Sequence, residues 1–182
     1  MEHAGLTAYR FIPPANALGS HTDPDPARAN LANSCFCLKN EGFDCLGSGL
    51  LNLEPCKRTP ELPRGAPIAL SLPHFYQADP ALLDQFQPDS ELRPDEELHS
   101  SHIELQPGTG AVLEAVVRLQ VNVLYRGLPH IPQLEGRAPT FHPVLWYEVI
   151  KENNFLQSTT TSGPVTAEIH IRGRFTLKHE NI

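Results

Sequence analysis

A chain of 182 residues with 40% apolar residues can bury roughly two thirds of its unfolded surface in one domain, which excludes disorder of the whole. Its 14 Lys and Arg against 21 Asp and Glu leave a formal net charge of -7, so the basic face that phosphate neutralisation requires is lacking and nucleic acid is excluded as the main partner. Proline, at 18 residues, is about twice its usual share of roughly 5% and favours short strands between turns over long helices. No stretch approaches the roughly 18 apolar residues that cross a bilayer, and residues 1–18 lack the basic start and apolar run of a signal peptide. Neither a membrane span nor an export signal is expected within the chain as written.

Residues 1–33 hold one apolar cluster, 9–12, followed by Pro13, Pro14 and the Asp-Pro pairs at 23–26, which predicts a short strand leading into an irregular loop. Four cysteines follow, Cys35, Cys37, Cys45 and Cys56, without the C-x2-C pairs that let two thiolates share one tetrahedral zinc. No metal site is expected, and the clustering suits disulfides in an oxidising compartment, with free thiols as the alternative. Cys35 and Cys37 are too close in sequence to bridge each other without strain, so each would pair with a more distant cysteine. A Cys37–Cys45 bridge would close a short loop and contribute roughly 2–3 kcal/mol.

Residues 66–75 read as a strand with Ile68, Leu70 and Leu72 on one face, bounded by Pro67 and Pro73. Asp79-Pro80 has the form of a helix opening, and Leu82, Leu83 and Phe86 give about two helical turns before Pro88. Residues 79–106 carry eight acidic side chains and one basic one, Arg93, yet lack the ligand spacing and turn glycine of a calcium loop. This stretch is read as a solvated acidic loop, and His99 and His102 within it as surface histidines.

The strongest periodic signal spans 111–126. Ala111, Leu113, Ala115, Val117, Leu119, Val121, Val123 and Tyr125 occupy odd positions, while Glu114, Arg118, Gln120, Asn122 and Arg126 fall on even ones. That alternation predicts a long antiparallel strand with a dry odd face and a wet even face, bent or broken by a bulge and suited to the wall of a large barrel. Residues 107–110 supply a turn, so 102–106 pairs with the first half as a hairpin. Residues 140–149 predict another strand containing Trp146, and 167–178 alternate again after a Ser/Thr run at 158–162.

Several short motifs give the chain a family resemblance: Tyr9-Arg10-Phe11, Cys35-Phe36-Cys37, Cys56-Lys57, Ser71-Leu72-Pro73-His74-Phe75, Asp95-Glu96-Glu97-Leu98-His99, Glu104-Leu105-Gln106-Pro107-Gly108-Thr109-Gly110, Arg118-Leu119-Gln120-Val121-Asn122 and Pro143-Val144-Leu145-Trp146. Their order and spacing over about residues 5–150 resemble the C-terminal half of the ectodomain of the class B scavenger receptors. The resemblance implies a mainly β fold: part of a large antiparallel β-barrel with short helices, incomplete relative to the family and pierced in the family by an apolar tunnel. It divides the chain into 1–150, the receptor-type portion, and 151–182, a divergent tail with an additional strand.

It also implies a receptor that handles fatty acids, sterols or lipoprotein-type particles without covalent chemistry or cofactor. A conduit shields about 0.8 kcal/mol of apolar transfer energy per CH2. Leu113, Val117, Leu119, Val121 and Val123 are the candidates for tunnel lining. By the same resemblance Cys37 bridges Cys45, Cys35 and Cys56 lack their family partners, and the chain represents a fragment or truncated form of a glycosylated membrane receptor with a lumenal or extracellular ectodomain. No Asn-x-Ser/Thr sequon occurs, and Asn33-Ser34-Cys35 offers only the rare form. The competing reading is a secreted, disulfide-containing interaction module without lipid transport. Catalysis is not expected, since Gly47-Ser48-Gly49 lacks the flanks of a nucleophile elbow and no phosphate-binding glycine motif occurs.

Overall fold

The computed structural model describes residues 2–3, 5–37, 45–56, 59–61, 65–86, 92–125, 140–153 and 167–175. Glu2–His3 (β1) and Leu6–Thr7 (β2) form a minimal hairpin around Gly5, whose φ of 78° only glycine adopts freely. The remaining strands, Tyr9–Phe11 (β3), Leu51–Asn52 (β4), Ile68–Ser71 (β5), His102–Leu105 (β6), Val112–Tyr125 (β7), Thr140–Asn153 (β8) and Ala167–Phe175 (β9), join in one antiparallel sheet. Pro88, Arg126, Lys178 and the run 158–162 lie outside the described residues.

β7 is the axis of this sheet. One of its edges pairs with β8 from Glu114 to Tyr125. The other is shared end to end by β6, opposite Val112–Val116, and β5, opposite Gln120–Val123. Between these two partners the Ser101 hydroxyl accepts the Arg118 N–H at 2.9 Å and so occupies the gap in the ladder. β3 extends the sheet beyond β6, β4 beyond β5 and β9 beyond β8, and among the described residues the sheet does not close on itself. The long strand is broken as its length demands. The register slips between Val121 and Asn122, where Leu145 and Pro143 are the successive partners and Val144 is the extra residue. The expected hairpin is present too, its turn finished by Gly110 at φ 71° and by hydrogen bonds between Gln106 and both Gly110 and Ala111.

Among the described residues helical structure is confined to stretches of six residues or fewer, as the proline content implies. Pro80–Gln85 is a 3-10 turn opened by the Asp79 carboxylate, which accepts the Ala81 N–H. Leu31–Phe36 is another, capped by Asn30. Glu96–His99 (α1) is one α-turn whose cap, Asp95, accepts the Leu98 N–H at 2.8 Å. It crosses the stretch expected to be a solvated loop.

The structure corrects the assignment of the two faces of β7. The even positions Val116, Gln120, Asn122 and Leu124 are buried, while the odd ones are half-buried at Leu119, Val121 and Val123 and exposed at Val117 and Tyr125; Leu113 alone of the tunnel candidates is fully buried. The same inversion holds in β5, where Ala69 and Ser71 are buried and Ile68 and Leu70 less so.

The reason is a closed amide and hydroxyl network. Gln120 Nε2 donates to Ser71 Oγ at 3.2 Å and Asn122 Oδ1 at 2.8 Å; Asn122 Nδ2 donates to Ser71 Oγ at 3.0 Å and the Ala69 carbonyl at 3.3 Å; Gln120 Oε1 accepts the His74 N–H at 2.9 Å. Every one of these amides finds partners, which offsets the cost of removing it from water. Beside the network lies the apolar core of Leu50, Ala69, Phe75, Leu82, Leu124 and Phe141.

Gln120→Leu should therefore orphan the His74 N–H and cost on the order of 3 kcal/mol in chemical denaturation. Val121→Thr, on the opposite face, should cost less than about 1 kcal/mol, and the reverse ranking would contradict the observed phase.

Candidate functional site

Antiparallel partners share a face, so the register sorts the whole sheet. The even face collects the charges: Arg10 opposite Glu104, Glu104 opposite Glu114, and Arg118 opposite Glu148. They are matched by direct contacts. Arg10 Nη2 lies 2.6 Å from Glu104 Oε1, His102 Nε2 lies 2.8 Å from Glu114 Oε2, and Arg118 Nε lies 2.5 Å from Glu148 Oε2. The odd face receives Phe11, Ile103, Val117, Leu119, Val121 and Val123 from β3, β6 and β7, joined by Leu70 of β5 and by Leu145, Tyr147 and Val149 of β8, with Lys151 and His142 of β8 at its two ends.

A groove of about 440 Å³ opens on this face. Phe11, Ile103, Val117 and Leu119 form its floor; Ile12, Pro13, Ala17 and Leu18 line it from the loop after β3, and Leu72, Tyr76 and Gln77 from the segment after β5. Phe11, Ile103 and Val117 remain 54%, 42% and 41% exposed, so the described residues leave the apolar floor open to whatever fills it. Ser101, His102, Gln77 and Tyr76 contribute the polar atoms. Burial, and then the neighbouring carboxylate of Glu96, hold the Tyr76 phenol above its usual range, so this group meets a ligand as a neutral hydroxyl.

Of the tunnel candidates, Val117 and Leu119 line the groove, Val121 and Val123 continue the same face beyond it, and Leu113 is packed away. The sequence reading missed Ile12, Leu72, Tyr76 and Ile103. Ile12 ends the first apolar cluster and Ile103 falls within the predicted hairpin, so alternation located both without indicating a shared cavity.

Cys37 and Cys45 form a disulfide, and Cys35 and Cys56 are exposed free thiols. His21 Nδ1 lies 2.9 Å from Cys45 Sγ. His102, Glu104 and Glu114 bring donor atoms within 4.8 Å of one another, but Arg10 already occupies Glu104 Oε1.

His99 is not on the surface: it is 4% exposed, and His102 is half-buried on β6, which corrects the reading of both as surface histidines. The His99 ring stacks on His74 at 4.3 Å, and Trp146 meets both rings edge-on at 6.1 and 6.5 Å. Its Nδ1 accepts the Asp95 N–H at 2.8 Å, tying the ring to the cap of its own helical turn. Burial, followed by the adjacent His74, drives its pKa down from 6.5 to about 4, with Asp95 opposing and Arg118 reinforcing the shift.

These features sit on an open antiparallel β scaffold, and the comparisons identify its family. The CD36 family matches residues 1–169, and the chain belongs to that family. It is 45% identical to sensory neuron membrane protein 2 of Heliothis virescens over 123 residues, covering 66% of this chain and 22% of the relative. Lysosome membrane protein 2 of Homo sapiens is 34% identical over 142 residues, 78% of this chain and 26% of the relative. Scavenger receptor class B member 1 of Cricetulus griseus is 33% identical over 145 residues, 79% and 24% respectively. The chain thus spans about a quarter of the length of these relatives, and the resemblance to class B scavenger receptors is borne out at the level of family. No helix among the described residues is long and apolar enough to cross a membrane.

The sign of the His99 shift fixes a pH dependence. The unfolded chain takes up a proton near pH 6.5 that the folded one refuses until about pH 4, so stability is full above pH 6.5 and is lost as pH falls toward 4. Denaturant titrations across this window should show a loss on the order of 3 kcal/mol, absent in His99→Phe.

Proposed function

We propose that this chain forms a lipid-binding wall of a scavenger-receptor-like protein, taking up acyl chains or sterols in the groove and passing them along the odd face of β7 without catalysis or cofactor. The observation that carries the reading is the inversion of the sheet: a polar network and three ion pairs sit on its covered face, while a largely apolar face, on which Lys151 is the charged residue from β8, is left open around the groove. An ordinary domain puts those faces the other way round, because each exposed CH2 forgoes about 0.8 kcal/mol of transfer energy. A lipid chain, or further apolar structure enclosing one, recovers that energy. A groove of about 440 Å³ with few convergent polar groups fits an acyl segment or a sterol ring system.

The names of two relatives, a sensory neuron membrane protein and a lysosome membrane protein, support a membrane-associated setting, and the third supports a scavenger-receptor type of function. The Cys37–Cys45 disulfide fits an extracellular or lumenal location.

A fluorescent long-chain fatty acid should bind the purified chain saturably. Val117→Asp, which places a carboxylate on the groove floor, should weaken binding about tenfold or more while leaving the urea midpoint nearly unchanged, because Val117 is exposed. Absence of saturable binding by the wild-type chain favours the interaction module without lipid transport.

A further inference from the structure

Resting on the groove as a lipid site, we propose that the stacked His74–His99 pair is an acid-sensitive latch that holds two walls of the groove in place and releases them when the pair becomes charged. The two residues are joined to those walls through the chain. Two and three residues past His74 come Tyr76 and Gln77, and two and three past His99 come Ser101 and His102; all four line the groove.

The first wall is strained. His74, Phe75 and Gln77 adopt φ values of 52°, 57° and 57°, a left-handed region that bulky side chains enter only when the surroundings hold them there. Among the contacts that hold it are the His74 N–H to Gln120 Oε1 bond at 2.9 Å, the stack of buried Phe75 on Phe86 at 5.6 Å and the His74 ring stack on His99 at 4.3 Å. The second wall is anchored from the same place, since His99 Nδ1 accepts the Asp95 N–H that begins α1.

Both anchors require an uncharged His99. A proton on its Nδ1 points a donor at the Asp95 donor, and a charge on the ring faces the second imidazole across the stack. His74 behaves differently. Its Nδ1 lies 3.2 Å from both the N and the O of Arg93, so it can exchange an accepted bond for a donated one. The groups around His99 set the balance. The Asp95 carboxylate favours its charge, and Glu96 and Glu97 add negative charge in the first turn of α1. Arg118 of β7 opposes it and is itself bound to Glu148 of β8 and to the carbonyls of Glu97 and Ser100. Trp146 packs edge-on against both rings, and His99 is 4% exposed, so an imidazolium there is poorly solvated.

Trp146 is the only tryptophan, so its emission reports on the latch directly. The test is a titration of the full chain from about pH 7 to about pH 4, with a fluorescently labelled fatty alcohol as probe, because an alcohol has no titratable headgroup to confuse the result. The expected result is an affinity loss of about tenfold, with the midpoint of a Trp146 emission change, and a loss of less than about twofold in His99→Phe.

Amide exchange of the wild-type chain supplies the second reading. Protection at residues 74–77 and 95–101 should fall in acid while that of β8 is retained. Binding that survives acidification unchanged, or equal acid sensitivity in His99→Phe, overturns the latch and leaves the groove standing. If no alcohol binds even at neutral pH, the groove reading fails, and the latch is then decided by exchange alone: unchanged protection at 95–101 overturns it.

Discussion

Three polar side chains buried under one long strand hold this structure in its particular form. Ser71, Gln120 and Asn122 are each 0% exposed and satisfy one another across β5 and β7. Because strand side chains alternate, burying Gln120 and Asn122 commits Leu119, Val121 and Val123 to the opposite face. A one-residue slip would expose the amides to water without loss, but would drive a row of branched aliphatics into the space now lined by hydrogen-bond partners. The network thus specifies register as well as stability, and with it the location of the apolar groove. The same network reaches the groove wall, since Gln120 Oε1 also anchors the backbone of His74 at the start of the left-handed stretch.

The charged residues follow the same logic. Arg10, Glu104, His102, Glu114, Arg118 and Glu148 are all placed on the covered face by register, and each finds an opposite or hydrogen-bonding partner there. Such part-buried pairs contribute little net stability, because solvent screening or desolvation opposes most of the Coulombic gain. Their consequence here is spatial: these six side chains lie away from the groove floor of Phe11, Ile103, Val117 and Leu119, although Lys151, opposite Ala115, shares the face on which that floor lies. The covered face therefore carries both the polar network and the apolar core of Leu50, Ala69, Phe75, Leu82, Leu124 and Phe141, while the opposite face presents the aliphatic floor of the groove.

Much of this architecture can be read in the amino-acid sequence, and the part that cannot has a definite physical origin. Period-two alternation locates β7, and the Pro-Gly turn locates β6 against it, because both signals are local. The phase of β7 is not local. Alternation distinguishes two faces but leaves open which one is covered, and the ordinary assumption that aliphatic residues face inward fails here. The partner that makes burial of Gln120 and Asn122 tolerable is Ser71, about fifty residues away in the chain. His99 escaped for a related reason: nothing within 79–106 signals that an acidic, one-turn helix packs its histidine on His74 and Trp146. The family motifs at 71–75, 95–99, 118–122 and 143–146 are the segments that meet around this cluster, so the resemblance located residues whose contacts periodicity alone could not assign.

The central claim is the phase of β7, and nitroxide scanning of positions 113–124 tests it most directly. With the apolar paramagnetic relaxant oxygen, accessibility should oscillate with a period of two and peak at 117, 119, 121 and 123, with minima at 116, 120 and 122. Maxima at the even positions, or a period near 3.6, would contradict the account.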